Sequence, residues 1–208
     1  MLTELSLRKF IDVTAGSDPV PGGGSISALA GTLSAALAHM VAGLTIGKKK
    51  YLEVEDEMKE IAEKTAAIQE KLYQAIDRDS EAYNVVFDAF KLPKETDEEK
   101  AKRSAAIQEA TKVAAQVPME VAALAFSLIP YIQAVVAKGN QNAVTDGCVA
   151  MLCCRTAVLG ALLNVRINLG SIKDEAFVKE YAAKAEKLES EITKIEKTIL
   201  DTTYKAIQ

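Results

Sequence analysis

One stretch carries no Asp, Glu, Lys or Arg over 21 residues: ISALAGTLSAALAHMVAGLTI, from Ile26 to Ile46. Its large side chains recur at steps of three and four, which predicts a helix with one leucine-rich stripe: Leu29, Leu33, Leu37, Met40 and Leu44. The stretch is long enough to cross a bilayer, but Ala, Gly, Ser and Thr fill most of it, whereas a membrane span is more evenly apolar. We therefore predict a buried, closely packed helix of a soluble fold, with no membrane partner.

The rest of the chain has the same helical periodicity, and no segment alternates apolar and polar residues as a strand does. Turn and capping residues divide it into predicted helices. The first three cover residues 6–13, 26–46 and 54–90, and a Thr96–Glu99 capping box opens the next. A new helix then begins at Pro118, is bent or broken at Pro130 and stops at Gly139; the last two run from Thr145 or Asp146 to Leu169 and from Asp174 onward. No linker or internal repeat separates two units. We predict an all-α, single-domain bundle of long antiparallel helices over residues 1–208.

The charge and cysteine counts argue against several classes of partner. The 208 residues hold 25 Lys and Arg against 29 Asp and Glu, a net charge of −4, so the overall field repels nucleic acid. Three cysteines without CxxC spacing and a single histidine supply no zinc set, and no metal site is predicted. The N-terminus is charged by Glu4, unlike a signal peptide, and a cytoplasmic location is expected.

Two of the predicted helices have very little polar surface. Residues 26–46 and 147–163 are apolar or small on nearly every side, which is more than one small bundle usually hides. A homodimer is therefore expected.

Asp79 interrupts the apolar stripe of the predicted 54–90 helix. At steps of four and three the stripe runs through Leu72, Ile76, Asp79, Tyr83, Val86 and Phe90. A carboxylate at a core-facing position is costly unless it is paired, and its pKa is readily perturbed, which suits an acid/base catalyst near neutral pH. The alternatives are a structural ion pair and a helix face that turns outward near a cleft. Asp77 lies off the stripe.

A pair of amides shares one face of the predicted helix that ends at Leu169. Asn164 and Asn168 are four residues apart, below the small residues Ala157 and Gly160. This pattern is typical of a floor for a flat polar ligand whose edge is recognised by hydrogen bonds. The alternative is that these amides bond loop carbonyls at the end of the helix.

Two short segments at the ends of the uncharged stretch are candidate anion sites. The segment before it consists of Gly22, Gly23, Gly24 and Ser25. Its backbone N–H groups lie at a predicted helix start and are suited to bind an anion. The alternative is a tight turn that binds nothing. After it, a basic cluster either holds a carboxylate or is a solvated surface run: Lys48, Lys49, Lys50 and Tyr51. The glycine spacing matches neither a P-loop nor a dinucleotide fingerprint.

Taken together, these motifs resemble the formiminotetrahydrofolate cyclodeaminase and methenyltetrahydrofolate cyclohydrolase family. The resemblance rests on Pro21-Gly-Gly-Gly-Ser25-x-Ser27-Ala, Met40-Val41 with Thr45-x-Gly47-Lys-Lys-Lys-Tyr51, Asp77-x-Asp79-x-Glu81-Ala-Tyr83, Leu92-Pro-Lys, Val117-Pro118, Gly139-Asn140, Asp146 and Asn164-Val-x-Ile-Asn168-Leu. These motifs cover nearly the whole chain in the family's order. The set is far more specific than any one of its members.

The resemblance implies an all-helical, dimeric folate enzyme that uses no metal or cofactor. It implies that Asp79 is the catalytic carboxylate, which the periodicity of the helix singles out independently. Asp146, Asn164 and Asn168 become candidates for the pterin edge and the site walls, and the Lys48 to Lys50 run for the glutamate tail. Tyr51 is a further candidate for substrate binding. The preferred reaction is cyclodeamination of 5-formiminotetrahydrofolate to 5,10-methenyltetrahydrofolate and ammonia. The alternatives are methenyltetrahydrofolate cyclohydrolase and a non-catalytic folate-binding or scaffold protein.

Overall fold

The computed structural model describes residues 1–208 and is all α, as predicted. It contains seven α-helices and no strand: α1 Leu7–Thr14, α2 Gly23–Thr45, α3 Glu55–Phe90, α4 Asp97–Phe126, α5 Ile129–Lys138, α6 Val144–Leu169 and α7 Glu175–Ala206. Three short 3-10 turns lie at Leu2–Glu4, Lys49–Val54 and Gln141–Ala143. The long helices pack antiparallel, so the predicted bundle is confirmed.

Four helices form the centre of the bundle. α2 lies between α3 and α6, and α4 closes the ring by packing on α3 and α6, while α7 covers the outer side of α6. One continuous core of 30 buried residues joins these elements, with Leu72, Met151 and Leu162 among its largest side chains. This arrangement brings the start of α2 beside the C-terminal halves of α3 and α6.

Most helix boundaries follow the sequence signals. Thr96 forms the predicted capping box with Glu99, and Asp174 caps α7 through the backbone N–H of Phe177. One prediction is wrong, because Pro118 lies inside α4 and does not begin a new helix. α2 begins at Gly23, three residues before the predicted start.

The packing of α2 is the reverse of what its leucine stripe suggests. Ala28, Ala35 and Ala42 on its small-residue face are fully buried, whereas Leu33 is 50% exposed and Leu44 is 43% exposed. Small side chains allow α2 to approach α3 and α6 closely, and this contact takes the core-facing position. Leu33, Met40 and Leu44 are therefore left on the outer surface, whereas Leu29 and Leu37 are partly buried against the core.

Three helical stretches are long and apolar enough to cross a membrane, judged by length and composition alone. They are Gly23–Thr45, Asp97–Lys138 and Gln141–Leu169, and about half of each apolar window is buried inside the bundle.

Candidate active site

A pocket of about 320 Å³ opens where the start of α2 meets the C-terminal halves of α3 and α6. It contains many of the residues selected from the sequence, and its wall is formed by Pro19, Val20, Gly22, Gly23, Gly24, Asp79, Tyr83, Val86, Ala114, Asn164, Ile167 and Asn168. Asp79 is the one carboxylate in this wall. A larger groove of about 690 Å³ lies between α4 and α7, but none of the predicted site residues lines it.

Asp79 is half-buried and accepts a hydrogen bond from Ser25. The Ser25 hydroxyl donates to Oδ2 of Asp79 across 3.1 Å, and the same hydroxyl lies 2.9 Å from the carbonyl oxygen of Ile76 and 3.1 Å from Oγ of Ser80. Burial raises the pKa of Asp79 above its ordinary value, while hydrogen bonds from the side chain and backbone of Ser25 oppose that rise. Ser25 is fully buried, so its hydroxyl serves Asp79 and does not face the pocket.

Gly24 allows the Asp79 carboxylate to lie against the backbone of α2. A Cβ atom at Gly24 would overlap all three carboxylate atoms of Asp79, so any larger residue forces the carboxylate to move. The N-cap residue Gly22 has no side chain to accept from the first free N–H groups of the helix. Asp79 supplies the negative charge that this helix end favours.

Two amides on α6 form part of the pocket wall, and one of them also compensates for a proline inside α4. Asn164 donates through Nδ2 to the Gly160 carbonyl, and Asn168 donates through Nδ2 to the carbonyls of Asn164 and Ala114, each across 2.9 Å. Pro118 has no N–H for the Ala114 carbonyl four residues earlier, and the Asn168 amide takes that place. The interior proline is thus accommodated by a pocket residue. Neither Oδ1 atom accepts a hydrogen bond within the chain, so both are available to ligand donors.

The other predicted site residues lie at the far end of the bundle. Lys48, Lys49 and Tyr51 follow the end of α2, about 33 Å from its start at 1.5 Å per helical residue. Asp146 lies in the first turn of α6, about 27 Å along that helix from Asn164. The Tyr51 hydroxyl accepts from the backbone N–H of Gln141, which fixes this tyrosine beside the start of α6. A single chain does not bring these four residues to the pocket.

Some pocket residues were not selected from the sequence. Pro19 and Val20 come from the loop before α2, and Ile167 lies one turn beyond Asn164 on α6. Ile167 is three residues from Asn164, so the helical spacing would have placed it on the same face of α6. Nothing in the sequence indicated that Ala114 would lie here, because its place depends on how α4 crosses α6.

Asp77 has a separate structural role. It is buried, and its carboxylate accepts from the backbone N–H of Leu2 and from the hydroxyl of Thr3. The Tyr73 hydroxyl donates to the Thr3 carbonyl across 2.9 Å. Asp77 therefore attaches the N-terminal segment to α3, two residues before Asp79 and on a different side of the helix.

The pocket is suited to proton transfer on a flat polar ligand. One carboxylate with a raised pKa and two asparagines line the same pocket, together with apolar side chains. No group of three or more His, Cys, Asp or Glu residues is arranged to hold a metal ion. No Lys or Arg is among the residues that line the pocket.

Comparison with known proteins gives the family. Residues 6–187 match the family model described as formiminotransferase-cyclodeaminase, so the chain belongs to this family of folate one-carbon enzymes. It is 41% identical over 197 residues to a methenyltetrahydrofolate cyclohydrolase of Methylorubrum extorquens, covering 95% of both chains. It is also 35% identical over 176 residues to the formimidoyltransferase-cyclodeaminase of Mus musculus, covering 85% of this chain and 32% of the mouse protein.

A solved structure agrees along the whole chain. The crystal structure of formiminotetrahydrofolate cyclodeaminase from Thermotoga maritima superposes with a TM-score of 0.88 at 32% identity, covering 100% of both chains. The family resemblance found in the sequence is therefore confirmed.

Proposed function

We propose that this protein catalyses a one-carbon reaction at the 5,10-methenyl carbon of tetrahydrofolate, with Asp79 as the acid/base. The proposal rests on Asp79, which is the one carboxylate in the pocket. Burial raises the pKa of this carboxyl toward the range in which a group can both accept and release a proton. The free Oδ1 atoms of Asn164 and Asn168 accept hydrogen bonds from N–H groups on the edge of the pterin ring. Neither scheme below uses a metal or a cofactor, and both run in the cytoplasm.

The favoured reaction is that of a methenyltetrahydrofolate cyclohydrolase. A relative of this name is 41% identical to this chain, and the alignment covers 95% of each of the two proteins. Asp79 takes a proton from water as the oxygen attacks the methenyl carbon. The bond from this carbon to N5 then breaks, Asp79 returns its proton to N5, and the hydroxyl proton leaves to solvent as the formyl group forms on N10. The carboxylate also stabilises the cationic substrate before attack.

Cyclodeamination, the preference from the sequence, is the second candidate. The Thermotoga maritima cyclodeaminase, which aligns over all of both chains, supports it. In this reaction N10 attacks the formimino carbon of 5-formiminotetrahydrofolate and loses its proton to Asp79. Asp79 then protonates the amine, which departs as ammonia and leaves the 5,10-methenyl cation. Both reactions need the same carboxylate at the same carbon.

One assay distinguishes these candidates, because both reactions share the absorbance of the 5,10-methenyl cation. We expect the purified protein to accelerate its decay to 10-formyltetrahydrofolate well above the buffer-catalysed rate, without added metal or nucleotide. Growth of the band from 5-formiminotetrahydrofolate, with ammonia released in parallel, assigns the protein to cyclodeamination. Folate binding without either reaction supports the scaffold alternative, and absence of both binding and turnover contradicts the folate proposal.

A further inference from the structure

The hydroxyl of Ser25 has more hydrogen-bond partners than its single hydrogen can serve. Ser25 is fully buried near the start of α2. Its Oγ atom lies 2.9 Å from the carbonyl oxygen of Ile76, 3.1 Å from Oδ2 of Asp79 and 3.1 Å from Oγ of Ser80. A serine hydroxyl donates one hydrogen and accepts through two lone pairs, so these distances alone do not fix which acceptor receives the hydrogen.

Two of these partners do not require the hydrogen of Ser25. The Ile76 carbonyl lies inside α3, where its partner in the helical hydrogen-bond pattern is the N–H of Ser80, four residues later. A carbonyl oxygen has a second lone pair, so it also has room for a bond from Ser25. Ser80 is buried, and its hydroxyl has a hydrogen of its own to donate to Ser25. The hydrogen of Ser25 therefore has two acceptors to serve in turn, Ile76 and Asp79.

The protonation state of Asp79 decides between these two acceptors. An ionised carboxylate only accepts, and a hydrogen bond to it is about twice as strong as one between neutral groups. Ser25 then donates to Oδ2 of Asp79. Once Asp79 carries a proton, its oxygens are weaker acceptors than a peptide carbonyl, and the hydrogen of Ser25 turns to Ile76. The buried hydroxyl has an acceptor in both states, so neither state leaves an unsatisfied donor.

No other charged group lines the pocket with Asp79. Asp79 and Tyr83 are the titratable residues of the wall, and only Asp79 is a carboxyl. Seven charged residues lie within two positions of a wall residue but outside the wall itself: Asp18, Asp77, Arg78, Glu81, Asp88, Lys112 and Arg166. The three cations among them form ion pairs with carboxylates elsewhere, which are Glu120, Asp174 and Glu189. Ser25 is thus the polar side chain that supports the charge of Asp79.

We propose that Ser25 is the positioning residue for proton transfer in this pocket: its hydroxyl hydrogen turns to Asp79 when the carboxylate is ionised, and to the Ile76 carbonyl when Asp79 carries a proton. This inference rests on the proposed function for the acid/base role of Asp79. Ser25 is not among the residues that line the pocket, so it acts through Asp79 and not on the ligand. The proposal replaces the anion-binding role that the sequence suggested for Ser25.

This arrangement suits a group that takes up and releases a proton in every turnover. The bond from Ser25 favours the ionised form of Asp79, and it opposes the effect of burial on the pKa of this carboxyl. On proton uptake only the hydrogen of Ser25 changes direction, and no heavy atom has to move. The carboxyl group therefore keeps its place against Gly24 in both states.

The pH profile of Ser25→Ala tests the proposal. We expect kcat/KM to be about tenfold below wild type at low pH, where Asp79 needs Ser25 to ionise, and within about threefold of wild type on the high-pH plateau. Ser34→Ala is the matched control, because Ser34 is a fully buried serine of α2 that donates to the Ala150 carbonyl instead. Its profile should keep the wild-type midpoint. An equal loss at every pH for Ser25→Ala, or a rise in KM alone, overturns the proposal.

Ser25→Cys provides a second variant in case the alanine protein does not fold, which circular dichroism checks. Cysteine has a similar shape and a weak S–H donor, so it supports the ionised carboxylate less well than serine does. We expect its kcat/KM profile to shift in the same direction as that of Ser25→Ala and by no more. A cysteine profile with the wild-type midpoint overturns the proposal.

Two measurements without substrate keep this test separate from the test of function. By ¹³C NMR, the midpoint of the Asp79 carboxyl should be higher in Ser25→Ala than in wild type. By neutron diffraction from deuterated crystals, the Ser25 deuterium should point to Oδ2 of Asp79 above the wild-type midpoint and to the Ile76 carbonyl below it. These results support the proposal even if every folate assay fails. Turnover by a protein whose Ser25 deuterium keeps one direction at both pH values overturns it and leaves the proposed function intact.

Discussion

The two ends of α2 are built in different ways. At its start, Asp79 is pressed against Gly24, held by Ser25 and half removed from water. Beyond its end, Lys48 and Lys49 are exposed and form no ion pair. The first end holds one carboxylate between a helix backbone and a buried hydroxyl, and the second provides charge on long, exposed side chains. We therefore expect changes at the glycine end to lower kcat and changes at the lysine end to raise KM.

The largest effect is expected for Asp79→Asn, which keeps the shape of the side chain and removes its proton transfer. We predict a loss of kcat of about 100-fold or more, measured at the 5,10-methenyl band. Asp88→Asn, on the exposed side of the same helix, serves as the control. A folded Asp79→Asn protein with a near-wild-type rate would eliminate Asp79 as the acid/base.

The same variant has a predicted effect on stability. A carboxyl whose pKa is raised on folding contributes stability that is present below its unfolded pKa and lost as pH rises through its folded pKa. Above its folded pKa the ionised Asp79 therefore costs stability, and a neutral amide in its place does not. We expect the Tm of Asp79→Asn at pH 7 to equal or exceed that of the wild type, and a clearly lower Tm would contradict this.

Gly24→Ala is expected to have the second largest effect, because the new methyl group displaces the Asp79 carboxylate. A displacement of about 1 Å costs up to about 100-fold in rate, so we predict a fall in kcat of about 10- to 100-fold. Gly170→Ala is the matched control, since a methyl group there meets only one carbonyl oxygen, at 3.5 Å. Equal rates for the two variants would show that Asp79 tolerates misplacement.

The lysine end is expected to give a smaller effect of a different kind. Lys48→Gln combined with Lys49→Gln should raise KM about tenfold and leave kcat nearly unchanged, because the family resemblance assigns these lysines to the glutamate tail and two exposed charges contribute modestly to binding. The KM of the wild type should also rise with salt, which screens these charges. Lys102→Gln, another exposed lysine, should change neither constant. A fall in kcat with constant KM would refute the division between the two ends.

The smallest effect on turnover is expected for Asp77→Asn, although Asp77 and Asp79 belong to one motif. Asp77 anchors Leu2 and Thr3, so its loss should lower the Tm. A hydrogen bond to a charged group is worth about 1.5–3 kcal/mol, and the amide keeps one of the two acceptor oxygens, so we expect a loss of about 2 kcal/mol, or about 4–8 °C in a chain of this size. We expect kcat to stay within about threefold of wild type. Thermal melts and steady-state rates measure both quantities.

Asp79 was identifiable from the sequence because it lies on a regular stripe of one long helix. The spacing from Leu72 through Ile76 fixes the face of α3 on which Asp79 lies, whatever its neighbours are. The stripe reaches the pocket at Asp79 and continues to the surface, where Tyr83 and Phe90 are exposed. Of the two alternatives to catalysis, the structure matches the face that opens near a cleft, which is also what a catalytic group needs.

The orientation of α2 was not identifiable in the same way. Its periodicity defines two faces, and the rule that large apolar residues point inward selects Leu33 and Leu44 for the core. The structure buries the alanine face, because small residues permit close contact with two neighbouring helices at once. Pro118 was misassigned for a related reason, since only the tertiary contact with Asn168 satisfies the carbonyl that proline leaves free.

The central claim is that Asp79, held at the glycine end of α2, carries the proton in turnover, and one comparison of two titrations tests it. The pKa of the Asp79 carboxyl is measured by ¹³C NMR, with Asp79→Asn to assign its signal, and kcat/KM is measured over the same pH range. We predict that the NMR midpoint lies above that of an ordinary aspartate and that kcat/KM falls as pH decreases through this same midpoint, because the base must be ionised. An Asp79 signal that titrates with no corresponding change in kcat/KM would contradict the account.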